Sequence, residues 1–169
     1  MRRPLSPSSP LPHALALSLS LSAGAGCIDD NEAVVFVEPS IAEPRAAVSG
    51  GVLGTQLSGS FALRLILGPR ASGPSQVSLQ SFEVKSADQS TSIVAPLEAT
   101  TTTPQPVEVA PDSEVTLDLT FDTGADPLPA ELRDALCDPA GIRITGTLQD
   151  SLQDGATTFA SEVFSASCM

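Results

Sequence analysis

Apolar and polar residues alternate with a period of two along most of the chain. Successive strand side chains point to opposite faces, so this spacing predicts strands. Phe61, Leu63, Leu65 and Leu67 share one face of a strand that ends at Gly68-Pro69, with Arg64 and Ile66 on the other. Val77 and Leu79 share a face, but Phe82 and Val84 are out of phase with them, which predicts a β-bulge or a break between two short strands. Ile93 to Leu97 carries Pro96 and reads as an edge strand. Val107 and Val109 precede a turn at Pro111-Asp112-Ser113. After it Val115, Leu117, Leu119 and Phe121 alternate with Glu114, Thr116, Asp118, Thr120 and Asp122, giving one buried and one wet face. Ala33 to Glu38 is a short apolar run bounded by Pro39 and Pro44, and predicts a first or edge strand.

One segment changes period. Leu128, Leu132, Ala135 and Leu136 recur at helical spacing, with Pro129 near the start where proline is tolerated, and predict one short helix over about 128–137. A hairpin follows. Ile142, Ile144 and Leu148 alternate with polar residues, Asp150 to Gly155 supplies the turn, and Phe159 and Val163 return on one face. About seven short strands with frequent turn signals and one crossover helix predict an all-β chain, an antiparallel β-sandwich of immunoglobulin-like topology, with a jelly-roll-like sandwich as the second choice.

Composition narrows the function classes. Lys+Arg number 8 against 20 Asp+Glu, a formal charge of −12, and Lys85 is the single lysine. Nucleic-acid binding needs clustered cations that release counterions, so no nucleic-acid partner is expected. Trp and Tyr are absent, which removes the usual platforms for sugars and single-stranded bases. About a quarter of the residues are Leu, Ile, Val or Phe, above the range of disordered acidic chains.

The N-terminus reads as an export signal. Arg2 and Arg3 precede a short apolar stretch, Leu11 to Ser22, which is too short and too polar to span a membrane. Two cleavage sites compete: after Ala25, in Ala23-Gly24-Ala25, or before Cys27. Gly24-Ala25-Gly26-Cys27 resembles the lipobox of bacterial lipoproteins, although Gly24 stands where a branched apolar residue is usual. The resemblance implies that Cys27 is lipidated and becomes the new N-terminus, a membrane anchor. On this reading residues 1–26 are a signal peptide, 27–45 the lipidated Cys and a tether with a possible edge strand, and 46–169 the sandwich. The protein is then exported to the bacterial cell envelope, as an outer-membrane lipoprotein; a periplasmic or secreted protein is the alternative.

Three cysteines in an exported chain leave one unpaired. With lipid on Cys27, Cys137 and Cys168 remain as a pair. Centring the hairpin turn between Leu152 and Gln153 opposes Ile142 to Val163 and Gly146 to Phe159, and it carries Cys137 toward Cys168. A disulfide between them needs Cα atoms within about 7 Å.

The chemistry that remains is sparse. Cleavage before Cys27 removes His13, the only histidine, so neither a Ser-His-Asp arrangement nor a His-ligated metal site can be built. No phosphate loop or dinucleotide fingerprint is present. No catalytic residues and no cofactor are expected. Asp122, Asp126, Asp150 and Asp154 lie in or beside loops that would share one end of the sandwich. They are the candidate calcium ligands, although no D-x-[DN]-x-[DN]-G loop occurs, and the bland reading is turn-forming, solubilising carboxylates. The expectation is a non-enzymatic, lipid-anchored envelope protein acting as a structural or interaction module with an envelope protein partner. The alternative is a secreted sandwich that binds calcium or a small ligand.

A second resemblance concerns the fold. Pro111 to Phe121, Leu128 to Leu136 and Arg143 to Thr147 are similar to the proline–turn–strand, leucine-rich helix and Arg-Ile-x-Gly-Thr strand of WHy-domain desiccation-response proteins. Gly68-Pro69 stands near the place of that family's Asn-Pro. The resemblance implies a β-sandwich over residues 61–168 and carries no catalytic residues.

Overall fold

In the computed structural model, which describes residues 35–51 and 53–169, the alternating segments are strands and their apolar faces meet. The elements are β1 (Glu38–Gly51), β2 (Gly54–Leu67), β3 (Ser75–Ser86), β4 (Ser92–Val94), β5 (Ala99–Thr100), β6 (Val107–Val109), β7 (Ser113–Asp122), α1 (Leu132–Leu136), β8 (Ile142–Asp150), β9 (Ala156–Ala160) and β10 (Ser167–Cys168). One sheet has the order β10-β1-β2-β7-β5. The other runs β4-β3-β8-β9, with β6 pairing on β3. The chain is a two-sheet, all-β sandwich. It has ten strands among the described residues rather than about seven, and the surplus is strands of two or three residues.

The core lies between the sheets. Leu57, Leu63, Leu65 and Leu67 of β2 and Leu119 of β7 are fully buried, as are Val77, Ile142, Ile144 and Leu148 of the facing sheet. Phe61 of β2 meets Phe82 of β3 edge-on, ring centroids 5.3 Å apart, so the aromatic contact crosses between sheets. Phe159 packs on Phe82 at 6.2 Å. Gly146 leaves room for both rings: a Cβ there would lie 2.6 Å from Phe159 and 2.8 Å from Phe82. The phase change in β3 is a bulge, with the register against β8 shifting between Leu79 and Ser81. That single extra residue puts both Val77 and Phe82 into the core.

Three expectations are corrected. The strand placed within 33–38 begins at Glu38 and runs through Pro39 and Pro44 to Gly51, with a register shift against β2 between Ala42 and Arg45. From Glu38 to Ala46 only β2 pairs with it, so it is an edge there, where proline is tolerated. Residues 38–45, read as tether, are therefore in the sheet.

The helix expected over 128–137 is only five residues long. Pro127 and Pro129 flank Leu128, whose N–H and C=O both bond Thr55, each at 2.8 Å, so the first expected turn is a β-bridge instead. Leu136 is buried, Leu128 and Leu132 partly so, and the segment does cross from β7 in one sheet to β8 in the other.

The hairpin register holds from Gln149↔Ala156 through Gly146↔Phe159 to Thr145↔Ala160. It then slips by one, so Ile142 faces Phe164 and Val163 is exposed. The Ser161 hydroxyl accepts from Ile144 N–H at 3.0 Å just before the slip, a side chain standing in for a ladder carbonyl.

Candidate functional site

The inward positions of β8 are Ile142, Ile144, Gly146, Leu148 and then Asp150, which shares their phase. Its carboxylate is fully buried. One oxygen accepts from the backbone N–H of Val37 at 2.7 Å. The other accepts the Ser75 hydroxyl and the Leu152 N–H, the latter at 2.9 Å. Three donors satisfy a buried charge that would otherwise be costly. Asp150 thus ties the entry of β1 to the start of β3 and to its own turn. The sequence reading placed it in a turn; its phase with Ile142, Ile144 and Leu148 is the signal that finds it.

At the far end of β1 a second fastener operates. Cys137, which ends α1, is bonded to Cys168 in β10, with Sγ–Sγ 2.00 Å and Cα–Cα 6.1 Å. The pair expected from the hairpin register is thus present, but by another route. The chain has left the β9 sheet, and β10 lies parallel to β1 in the other sheet, Ala47 opposite Ser167 and Val48 opposite Cys168. Met169 N–H donates to the Val48 carbonyl at 3.0 Å, and Arg133 donates to the Met169 carbonyl at 2.6 Å.

A cleft of about 470 Å³ opens between the β3–β4 turn and the α1–β8 connection, lined by Ser86, Asp88, Ile93, Ala135, Asp138 and Gly141 among others. Its carboxylates serve their own turns. Asp88 accepts the Ser86 hydroxyl at 2.6 Å and the Ser90 N–H at 3.1 Å, and these bonds, with that of the Ser90 hydroxyl, hold its pKa down at about 2. Asp138 accepts the Ala140 N–H at 2.8 Å. Arg143 straps this end from outside, donating to the carbonyls of Ala87 at 2.9 Å and Ser161 at 2.6 Å.

The four calcium candidates are not brought together. Asp122 lies opposite Ser58, which lies opposite Ala47, so Asp122 and nearby Asp126 sit toward the disulfide end of β1. Asp150 binds Val37 at the opposite end, roughly 30 Å away at strand rise, with Asp154 in its turn. Asp122 caps its own turn by accepting the Gly124 N–H at 2.7 Å, and Asp150 is saturated by protein donors. Among the described residues no group of three or more His, Cys, Asp or Glu is placed to hold a metal.

Lys85, the single lysine, is ion-paired to Glu83 at 3.0 Å. The Ser92 hydroxyl, more than Lys85, lowers the Glu83 pKa. Among the described residues no helix is long and apolar enough to cross a membrane. Cys27 and the lipobox-like segment lie outside the described residues. Comparison of the chain with protein-family models, curated proteins and solved structures finds no match.

Proposed function

We propose that the chain is a non-enzymatic envelope protein, held to the bacterial outer membrane by lipid on Cys27, whose sandwich is a structural or interaction module. The observation that carries this reading is the position of Val37. It is buried and fastened to Asp150 only ten residues after the cysteine of Gly24-Ala25-Gly26-Cys27. Ten residues reach at most ~36 Å, so a lipid on Cys27 would hold the folded unit close to the bilayer. Acyl chains there would supply the affinity that the sandwich's hydrophilic outer faces do not. The two sheets, with the crossover between β7 and β8, support the finer reading of immunoglobulin-like topology and the likeness to WHy-domain sandwiches.

The test is intact mass after expression in a bacterium supplied with labelled palmitate. A product that starts at Cys27, carries acyl chains and partitions with the outer membrane is expected, with both label and partition lost in Cys27→Ser. An unlabelled product starting at Gly26 overturns the anchor and leaves a secreted sandwich.

A further inference from the structure

The edge of β1 is guarded along its length by two different means. From Glu38 to Ala46 the strand carries Pro39, Pro44, a register break between Ala42 and Arg45, and a positive φ of 50° at Glu43. Each of these spoils pairing with another strand. From Ala46 to Gly51 there is no proline and no charge; the stretch reads Ala-Ala-Val-Ser-Gly-Gly. What covers it is β10, a strand of two residues. The Val48 carbonyl points out of the sheet edge, since it accepts the Met169 N–H. By strand periodicity the backbone groups of Ala46 point the same way.

We propose that the Cys137–Cys168 disulfide is a gate over this edge, and that opening it lets the Ala46–Gly51 stretch of β1 pair antiparallel with the same stretch of a second copy. The gate opens by thiol–disulfide exchange with a dithiol. The dithiol closes to its own disulfide, and Cys137 and Cys168 each leave as a thiol. Cys168 is exposed and Cys137 half-buried, so the bond is reachable. Once the bond is open, β10 is held by two ladder positions and the contacts of Met169. A second β1 offers up to six positions in a closed two-fold contact. The chain's charge of −12 opposes association, but Ala46–Gly51 carries none of it. This inference does not rest on the lipid anchor.

The test uses the full chain with Cys27→Ser, which leaves only the gate cysteines. Molar mass by light scattering is measured before and after dithiothreitol at about 100 µM, with circular dichroism and hydrogen exchange alongside. Expected are a monomer when oxidised and a doubled mass when reduced, with the strand spectrum unchanged. The edge-facing amides of Ala46, Val48 and Gly50 should be protected in the reduced dimer and open on dilution. Ala46→Pro removes an edge N–H on the side away from β2, and should keep the reduced protein monomeric. Reduced protein that stays monomeric, or that loses its strand spectrum, overturns the proposal. So does a reduced dimer in which the amides of Ala46, Val48 and Gly50 remain open, a readout that holds even if Ala46→Pro fails to fold.

Discussion

The two ends of β1 are fastened by opposite chemistries. At Val37 a buried carboxylate gathers three donors, and the tie is reversible and noncovalent. At Val48 the neighbouring strand is two residues long and is held by a covalent bond across 31 positions. The difference follows from burial. The Val37 end is dry, so a charge-assisted network there gains strength from the low dielectric. The Val48 end is wet: Ser167, Cys168 and Met169 are exposed, and hydrogen bonds open to water contribute little. A short exposed strand needs a bond that water cannot exchange.

The sharpest way to break the comparison is to remove the carboxylate. Asp150→Ala takes the acceptor from two buried donors, the Val37 N–H and the Ser75 hydroxyl, and from the half-buried Leu152 N–H. At ~1–3 kcal/mol for each buried donor, not additively, it should cost about 3 kcal/mol in denaturant unfolding. Asp150→Asn separates the donors: the amide oxygen can keep Ser75 and Leu152, while the amide nitrogen faces the Val37 N–H. Hydrogen exchange should then quicken at Val37 far more than at Leu152. Equal quickening at both would deny Asp150 its role at the entry of β1.

Reduction of the disulfide in the Cys27→Ser chain should lower stability by ~3–4 kcal/mol, the loop-closure value for its span. Its local effect should be confined to β10 and the Val48 end, with exchange at Val37 changed only in step with the global loss. Removing the strap, Arg143→Met, takes away two charged bonds to carbonyls and should cost ~1–2 kcal/mol.

Asp88 gives the smallest and purely local effect. Its folded pKa of about 2 lies below the ordinary carboxylate value, so its turn contributes stability that is present above about pH 4 and fades as the pH falls toward 2. Carbon-13 titration should place its midpoint near 2, and Ser86→Ala should move that midpoint upward. An unmoved midpoint would remove the hydroxyl as the cause.

Much of the sandwich was legible because alternation and burial coincide. Val115 to Phe121 shows a single face, and the phase flip between Leu79 and Phe82 located a bulge. The Cys137–Cys168 pair was found through a register that holds only as far as Ser161, before the slip that puts Phe164 opposite Ile142. The cysteines meet all the same, because α1 and β10 both come to the same end of β1 after the hairpin register has been lost. β1 was misread for the opposite reason. Its prolines look like boundaries, and an edge strand can hold them. The helix was overread because leucine spacing reports faces, whereas the backbone of Leu128 was already committed to Thr55. The switch of β10 to the other sheet left no mark in the side-chain pattern, since two residues carry no period. Asp150 was legible in phase but hidden by its identity, because an aspartate before a turn is ordinarily a turn residue.

The Asp150–Val37 bond also sets an order of events. It joins positions 113 apart, and β1 receives Ser167 and Cys168 on its other edge. β1 comes early in the chain but cannot be completed until almost everything after it has arrived. Closing so long a loop before any contact offsets its entropy slows folding. β1 can close on β2 early as a hairpin, Gly51 opposite Gly54, but its entry at Val37 and its outer edge are the last parts of the sandwich to be secured. Until then its uncharged Ala46–Gly51 edge stands open, and the folding chain is most prone to association in that interval.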